Sequence, residues 1–189
     1  MEVLEAIKTR RSIRHYKPDP IDDKTLETIM EAAQWAPSWK NTQCWRFIVV
    51  RNHDTQSRLA EALLTTERGD VMGPNPSTQA IQTAPVVIVA CAELEKSGFT
   101  RGKPDTDKGD WYMYDVALAM QNLALAAHSL GLGTVHVGAF DAKKAAAAMG
   151  VPEGSCVVAM TPLGFPAREG KAPPRKERSE IIFHDRYGH

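Results

Sequence analysis

The sequence predicts one α+β domain spanning residues 1–189, with a sheet of about four or five strands. Three observations carry that expectation. Short apolar, β-branched runs alternate irregularly with stretches of helical periodicity. No repeat or domain-sized linker interrupts them, and the length suits one ordinary domain. With 43% hydrophobic and 24% charged residues, the chain has enough apolar surface for a packed core, which argues against disorder.

The elements follow in order. Residues 2–10 have a helical pattern, with Val3, Leu4, Ala6 and Ile7 on one side. A second helix begins at a cap supplied by Asp22 or Asp23, carries Leu26, Ile29, Met30 and Ala33, and ends before Pro37. The run FIVV, 47–50, predicts a strand, and 54–64 predicts a helix. GDVMGPNPS, 69–77, is a Gly/Pro-rich loop. VVIVA, 86–90, is apolar at every position and so predicts a strand buried on both faces. Residues 97–109 form another polar, glycine-rich loop. The longest helix runs from Trp111 to Leu130 and is apolar nearly all round. One small domain can hardly surround such a helix, so a partner subunit is expected to cover it, and an acid at Leu123 is expected to give insoluble or monomeric, flavin-free protein, because an unpaired charge would be buried there. TVHVGAF, 134–140, is a strand, Asp141 caps a Lys/Ala-rich helix ending at Gly150, and CVVAMT, 156–161, is the last strand. The tail from Gly164 is rich in proline and charge, with little core of its own.

Charge and cysteine content narrow the function classes. The 23 basic and 23 acidic residues cancel, which leaves no general electrostatic reason to seek nucleic acid or an anionic membrane. No apolar run reaches the roughly 18 residues that span a bilayer, and the N-terminus does not read as a signal peptide. Cys44, Cys91 and Cys156 are odd in number and widely spaced, so a disulfide framework or zinc site is not expected and a reducing cytoplasm is the default. The glycines of GLGTVHVG, 131–138, follow a helix and precede a strand, the reverse of a dinucleotide fingerprint. Gly131 is better placed as a helix terminator. The six histidines form no HExxH-like ligand pair, and GxxxxGK[ST] and GxSxG are absent.

Two segments carry chemical signal. RRSIR, Arg10–Arg14, places three arginines and Ser12 at a helix end. It is either a solvated basic turn or a phosphate site, since guanidinium forks match phosphate oxygens. APSWKNTQCWRF, 36–47, holds Pro37, Ser38 and Asn41 in a loop beside two tryptophans. It is either a turn over the edge of the core or a platform for a planar heterocycle, for which Asn41 offers both donor and acceptor.

Together these segments resemble the nitroreductase family. RRSIRHY comes first and APSWKNTQCWRF second; AAHSLGLGTVHVGAF and LGFPAREGKAPPRKERSEII follow in the family's order over nearly the whole chain. The resemblance implies an α+β fold with a central, mostly antiparallel sheet flanked by helices. It also implies a homodimer with a long buried interface helix and FMN bound between subunits. Carried over residue by residue, Arg10, Arg11, Ser12 and Arg14 match the phosphate and ribityl side, with Arg14 near the pyrimidine. Pro37, Ser38 and Asn41 match the loop that meets FMN from the other subunit. His136, Val137 and Gly138 match the strand passing the isoalloxazine, Gly164 a close backbone approach, and Arg175 with Lys176 the basic tail completing the phosphate site. Where this chain has Cys44 the family commonly has proline, and where it has Trp39 and Lys40, small residues; these departures bear on pocket size and electron acceptor.

The implied activity is ping-pong transfer of a hydride from NAD(P)H to flavin N5, then reduction of a nitroaromatic, quinone or other flat small-molecule acceptor. Alternatives are a flavin storage or sensor protein without turnover, or a specialised member such as a dehalogenase or dehydrogenase.

Overall fold

The structure is a computed structural model that describes residues 1–68 and 71–188. Its centre is a four-stranded sheet of β1 (Trp45–Val50), β4 (Val86–Glu93), β7 (Gly133–Thr134) and β8 (Ser155–Gly164), in the order β1-β4-β8-β7, antiparallel throughout. Two short hairpins lie outside it: β2 (Thr66–Arg68) with β3 (Val71–Gly73), and β5 (Phe99–Thr100) with β6 (Lys103–Pro104). The helices are α1 (Val3–Thr9), α2 (Asp23–Gln34), α3 (His53–Glu61), α4 (Thr78–Thr83), α5 (Tyr112–Ser129) and α6 (Ala142–Met149).

The uninterrupted apolar run of β4 has a direct packing cause. Its side chains alternate, and both faces of the sheet are covered. Val86, Ile88, Ala90 and Ala92 pack with Leu26, Ile29 and Ala33 of α2 and Ala119 and Leu123 of α5. Val87, Val89 and Cys91 pack on the other face with Leu59 of α3, Ile81 of α4 and Ala145 of α6. The expected caps are present: Asp22 accepts from Thr25 N–H at 2.9 Å and Asp141 from Lys144 N–H at 3.0 Å. Gly131 (φ 80°) lies just beyond the end of α5, and Gly150 (φ 65°) ends α6 in the left-handed region open to glycine.

Several expectations need correction. Of the 134–140 segment only Thr134, together with its neighbour Gly133, pairs as a strand, followed by an isolated bridge from Val137 to Met160. Beyond it the backbone bonds elsewhere: Leu64 N–H donates to Ala139 O at 3.0 Å and Asp141 N–H to Ala62 O at 2.8 Å, so the chain leaves the sheet towards the end of α3. Within the expected loop 69–77, residues 69 and 70 lie outside the described residues, and Val71–Gly73 forms β3. The 97–109 loop contains the β5–β6 hairpin. The long helix α5 is covered on its inner side by its own chain, and Leu123 belongs there, fully enclosed. Its other side, with Met113, Tyr114, Ala117 and Gln121 exposed and Leu118 and Leu125 half-buried, is not covered within the chain.

Candidate functional site

The Arg10–Arg14 segment leaves α1 in an extended conformation and lies alongside β7. Ile13 N–H donates to Thr134 O at 2.9 Å, and Ser12 bridges Thr134 in parallel. Ile13 turns into the core, whereas Ser12 and Arg14 are exposed and Arg10 is half-buried. Gly133 permits this approach, because a Cβ there would meet Ile13 side-chain carbons at 2.7 Å. Thr9 Oγ1 bonds His128 Nε2 at 2.8 Å, fixing the segment to the C-terminal end of α5.

Arg10 is the electrostatic centre of this end. Its pKa is lowered by burial, then by the charges of Arg11 and Arg175. Arg175, 165 positions along the chain, thus comes into the neighbourhood of Arg10. Ion pairs among the described residues are Lys40–Asp105, Arg46–Glu93 and Arg51–Asp23, so Arg10, Arg14 and Arg175 face no paired carboxylate. Clustered cations of this kind fit a phosphate dianion. Arg11 Nη1 donates to Lys8 O at 2.7 Å and Arg10 O at 2.8 Å, where a cation suits the end of a helix. A cleft of about 390 Å³ opens here, lined by Arg10, Arg11, His128 and Thr134 among others. Burial, then Arg10 and Arg11, lower the pKa of His128. Nothing in the spacing of the histidines pointed to it.

His136 is exposed, with its Nδ1 2.9 Å from Thr161 Oγ1, and its pKa is lowered by desolvation and then by Arg10. Val137 turns inward to the core, and Gly138 is exposed with open space where a Cβ would stand. Gly164 is buried, and a Cβ there would meet Pro85 Cδ at 2.8 Å and Tyr16 Cδ1 at 3.0 Å, so the absence of a side chain serves internal packing. Arg175 and Lys176 lie in an exposed, irregular tail.

The loop with Pro37, Ser38 and Asn41 is built at the opposite end of α5. Lys40 (φ 46°), Asn41 (φ 54°) and Gln43 (φ 47°) all adopt left-handed backbone without being glycine. Such positions cost on the order of 1–3 kcal/mol each and persist only where surroundings enforce them. Asp115, buried near the start of α5, supplies the main restraint. Its oxygens lie 3.1 and 3.2 Å from Trp39 N, and Oδ2 accepts from Ser97 Oγ at 2.7 Å and from Cys44 Sγ at 3.8 Å. The Cys44 thiol is pushed up to about 12 by burial, then by the charges of Asp115 and Asp110. Ser38 Oγ accepts from Gln43 N–H at 3.0 Å, and Asn41 Oδ1 accepts from Gln43 Nε2 at 3.2 Å. Sequence reasoning missed Asp115, although one acid in the apolar run YMYDVALAM was a signal.

Asp115 and His128 are 13 positions apart on α5, roughly 20 Å at 1.5 Å per residue. The arginine segment and the Asn41 loop are therefore held at opposite ends of one helix.

A family model described as the nitroreductase family matches residues 7–165. The chain belongs to the nitroreductase family. A relative from Methanothermobacter thermautotrophicus, whose name carries the words NADH dehydrogenase/NAD(P)H nitroreductase, is 35% identical over 173 residues, covering 88% of this chain and 78% of its own. A 5,6-dimethylbenzimidazole synthase of Rhodospirillum rubrum is 31% identical, over 87% and 82%. An FMN reductase [NAD(P)H] of Bacillus subtilis is 26% identical, over 98% and 74%. Among solved structures, a nitroreductase family protein from Clostridium novyi is 35% identical with a TM-score of 0.75, over 100% of this chain and 96% of that one. The α+β fold with a central antiparallel sheet is thus that of nitroreductases.

Proposed function

We propose that this family member is an FMN-dependent oxidoreductase that oxidises NAD(P)H and reduces a nitroaromatic, quinone or similarly flat acceptor by a ping-pong mechanism, acting as a homodimer. The separation of its two candidate segments by the length of α5 carries this proposal. With the two segments held at opposite ends of α5, a two-fold axis would bring the arginine segment of one subunit to the Asn41 loop of its partner. Support for a second copy comes from the surface. Val3 and Leu4 of α1 are 68% and 69% exposed, Trp35 at the end of α2 is 78% exposed, and a groove of about 410 Å³ between them is lined by Leu125 and Ala126 of α5. Ile181, Ile182 and Tyr187 in the tail are also exposed. Exposed apolar side chains grouped around a groove support an interface there. Among the described residues no helix is long and apolar enough to cross a membrane.

FMN, when bound, would supply the redox chemistry that links NAD(P)H to the acceptor. The chain's residues bind and orient. Arg10 and Arg175 would neutralise the phosphate, with Lys176 next to Arg175 on the tail, and Ser12 would add a hydroxyl. Arg14 would face the pyrimidine side. Pro37 shapes the loop on which Ser38 and Asn41 meet the polar ring edge, where the amide both donates and accepts. His136, Val137 and Gly138 would pass beside the ring, and burial, then the charge of Arg10, lowers the pKa of His136, which favours its neutral imidazole. A specialised flavin chemistry is the second reading, favoured by the kinship to a synthase.

Purified protein should be yellow, sediment as a dimer, and show flavin bleaching on mixing with NADH or NADPH in an anaerobic stopped-flow trace, with recolouring on adding a quinone. A colourless, folded monomer would defeat the proposal. Bleaching without recolouring by any quinone or nitroaromatic would favour the specialised chemistry.

A further inference from the structure

The β5–β6 hairpin is fastened to the Asn41 loop by a second carboxylate, which the proposed function leaves unused. Asp105 Oδ2 accepts from Lys40 Nζ at 2.9 Å, from Trp39 Nε1 at 3.0 Å and from Thr100 Oγ1 at 3.1 Å. Lys40 Nζ also donates to Thr100 Oγ1 at 2.8 Å. Asp105 N–H donates to Gly98 O at 2.7 Å, which closes the base of the hairpin. The carboxyl of Asp105 is held below its ordinary range by its bonds to Lys40 and Thr100, so it stays ionised at neutral pH.

Trp39 is therefore gripped twice, its main-chain N–H by Asp115 and its indole N–H by Asp105. The indole lies 5.2 Å from the ring of Trp111, centroid to centroid, and Trp111 lies 5.4 Å from the exposed ring of Tyr114 in an edge-on contact. Lys108 Nζ stands 5.7 Å over the Trp111 ring. A three-ring wall thus rises beside Ser38 and Asn41. Small side chains at positions 39 and 40 could build neither the wall nor its fastening.

We infer that Asp105, through Trp39 and Lys40, fixes the 99–105 hairpin as a rigid wall of the acceptor site and so restricts the enzyme to compact, single-ring acceptors. The inference rests on the proposed FMN site, because the wall borders the loop assigned to the flavin edge. Asp105 touches no reacting atom and is a specificity-determining, positioning residue. Freed from it, the hairpin and the indole move apart and admit fused-ring acceptors.

The test uses the full chain loaded with FMN, as wild type, Asp105→Ala and Asp105→Asn. Two quinones, 1,4-benzoquinone and 2-methyl-1,4-naphthoquinone, are each reduced to the hydroquinone by one hydride equivalent from NAD(P)H, which carries two electrons and one proton, plus one proton from solvent. The ratio of kcat/KM for the naphthoquinone to that for the benzoquinone should rise at least fivefold in Asp105→Ala and less in Asp105→Asn. FMN affinity should stay within threefold. Amide exchange at residues 99–103, measured without turnover, should be at least tenfold faster in Asp105→Ala. Unchanged exchange would overturn the fastening. Faster exchange with an unchanged quinone ratio would overturn the role in specificity, as would a fall in FMN affinity without a change in the ratio. A wild-type chain that binds no FMN would defeat the proposed function and the specificity role with it, while exchange would still decide the fastening.

Discussion

Loss of either arginine of the proposed phosphate clamp should weaken FMN far more than riboflavin. Arg10 and Arg175 come from opposite ends of the chain, and the charge of Arg175 helps to lower the pKa of Arg10. Neither has an ion-pair partner among the described residues. A hydrogen bond to a charged group contributes about 1.5–3 kcal/mol, so Arg10→Ala or Arg175→Ala should weaken FMN roughly ten- to hundredfold. The double variant should lose less or more than the sum, because the two share one partner. Apo-protein stability supplies a control of opposite sign. Arg175 is exposed and bears on Arg10 only as a like charge, so Arg175→Ala should leave apo stability unchanged or slightly raised. Titrating FMN and riboflavin into apo wild type and variants, together with apo melting curves, reads all these quantities. Equal FMN affinity in wild type and Arg10→Ala would refute the clamp. A fall in apo stability with Arg175→Ala would mean that the residue serves the fold.

Removing the buried carboxylate of Asp115 leaves Trp39 N–H and Ser97 Oγ without their acceptor, so Asp115→Ala should cost about 2–3 kcal/mol in urea unfolding, and Asp115→Asn less. The position of two leucines on α5 separates folding from assembly: Leu123→Glu, which buries a charge inside the chain, should abolish soluble protein, whereas Leu125→Glu should give a folded, flavin-poor monomer on sedimentation. A dimeric Leu125→Glu protein would place the interface elsewhere. The folded-state pKa of His136 lies below its ordinary 6.5, so the unfolded chain takes up the proton first. Its contribution to stability is complete above pH 6.5 and declines as pH falls from there through the folded value. His136→Gln should therefore make apo stability less sensitive to acidification below about pH 6.5, and an unaltered pH dependence would contradict the assignment.

Periodicity, capping and motif order were properties of the sequence alone. Leu26, Ile29 and Ala33 mark α2 because a helix must place its apolar residues at that spacing, and Asp22 and Asp141 mark helix starts because unpaired N–H groups need acceptors nearby. The apolar run of β4 likewise announced a strand covered on both faces. The motifs RRSIR and APSWKNTQCWRF could be read as candidate cofactor segments because the residue types themselves carry the chemistry. Tertiary structure decided what depends on contacts between distant residues. The 134–140 segment leaves the sheet because backbone groups near Ala62 and Leu64 capture its own, a competition that local pattern does not record. Leu123 and Leu125 look equivalent in a helix that is apolar nearly all round, and only packing against the sheet turns the first inward. The left-handed turn at Lys40 and Asn41 carries no glycine to announce it, because carboxylates 65 to 76 positions away hold it. The same distance in sequence hid Asp115 and Asp105 as the groups that shape the Asn41 loop: a carboxylate's role is set by the donors the fold brings to it.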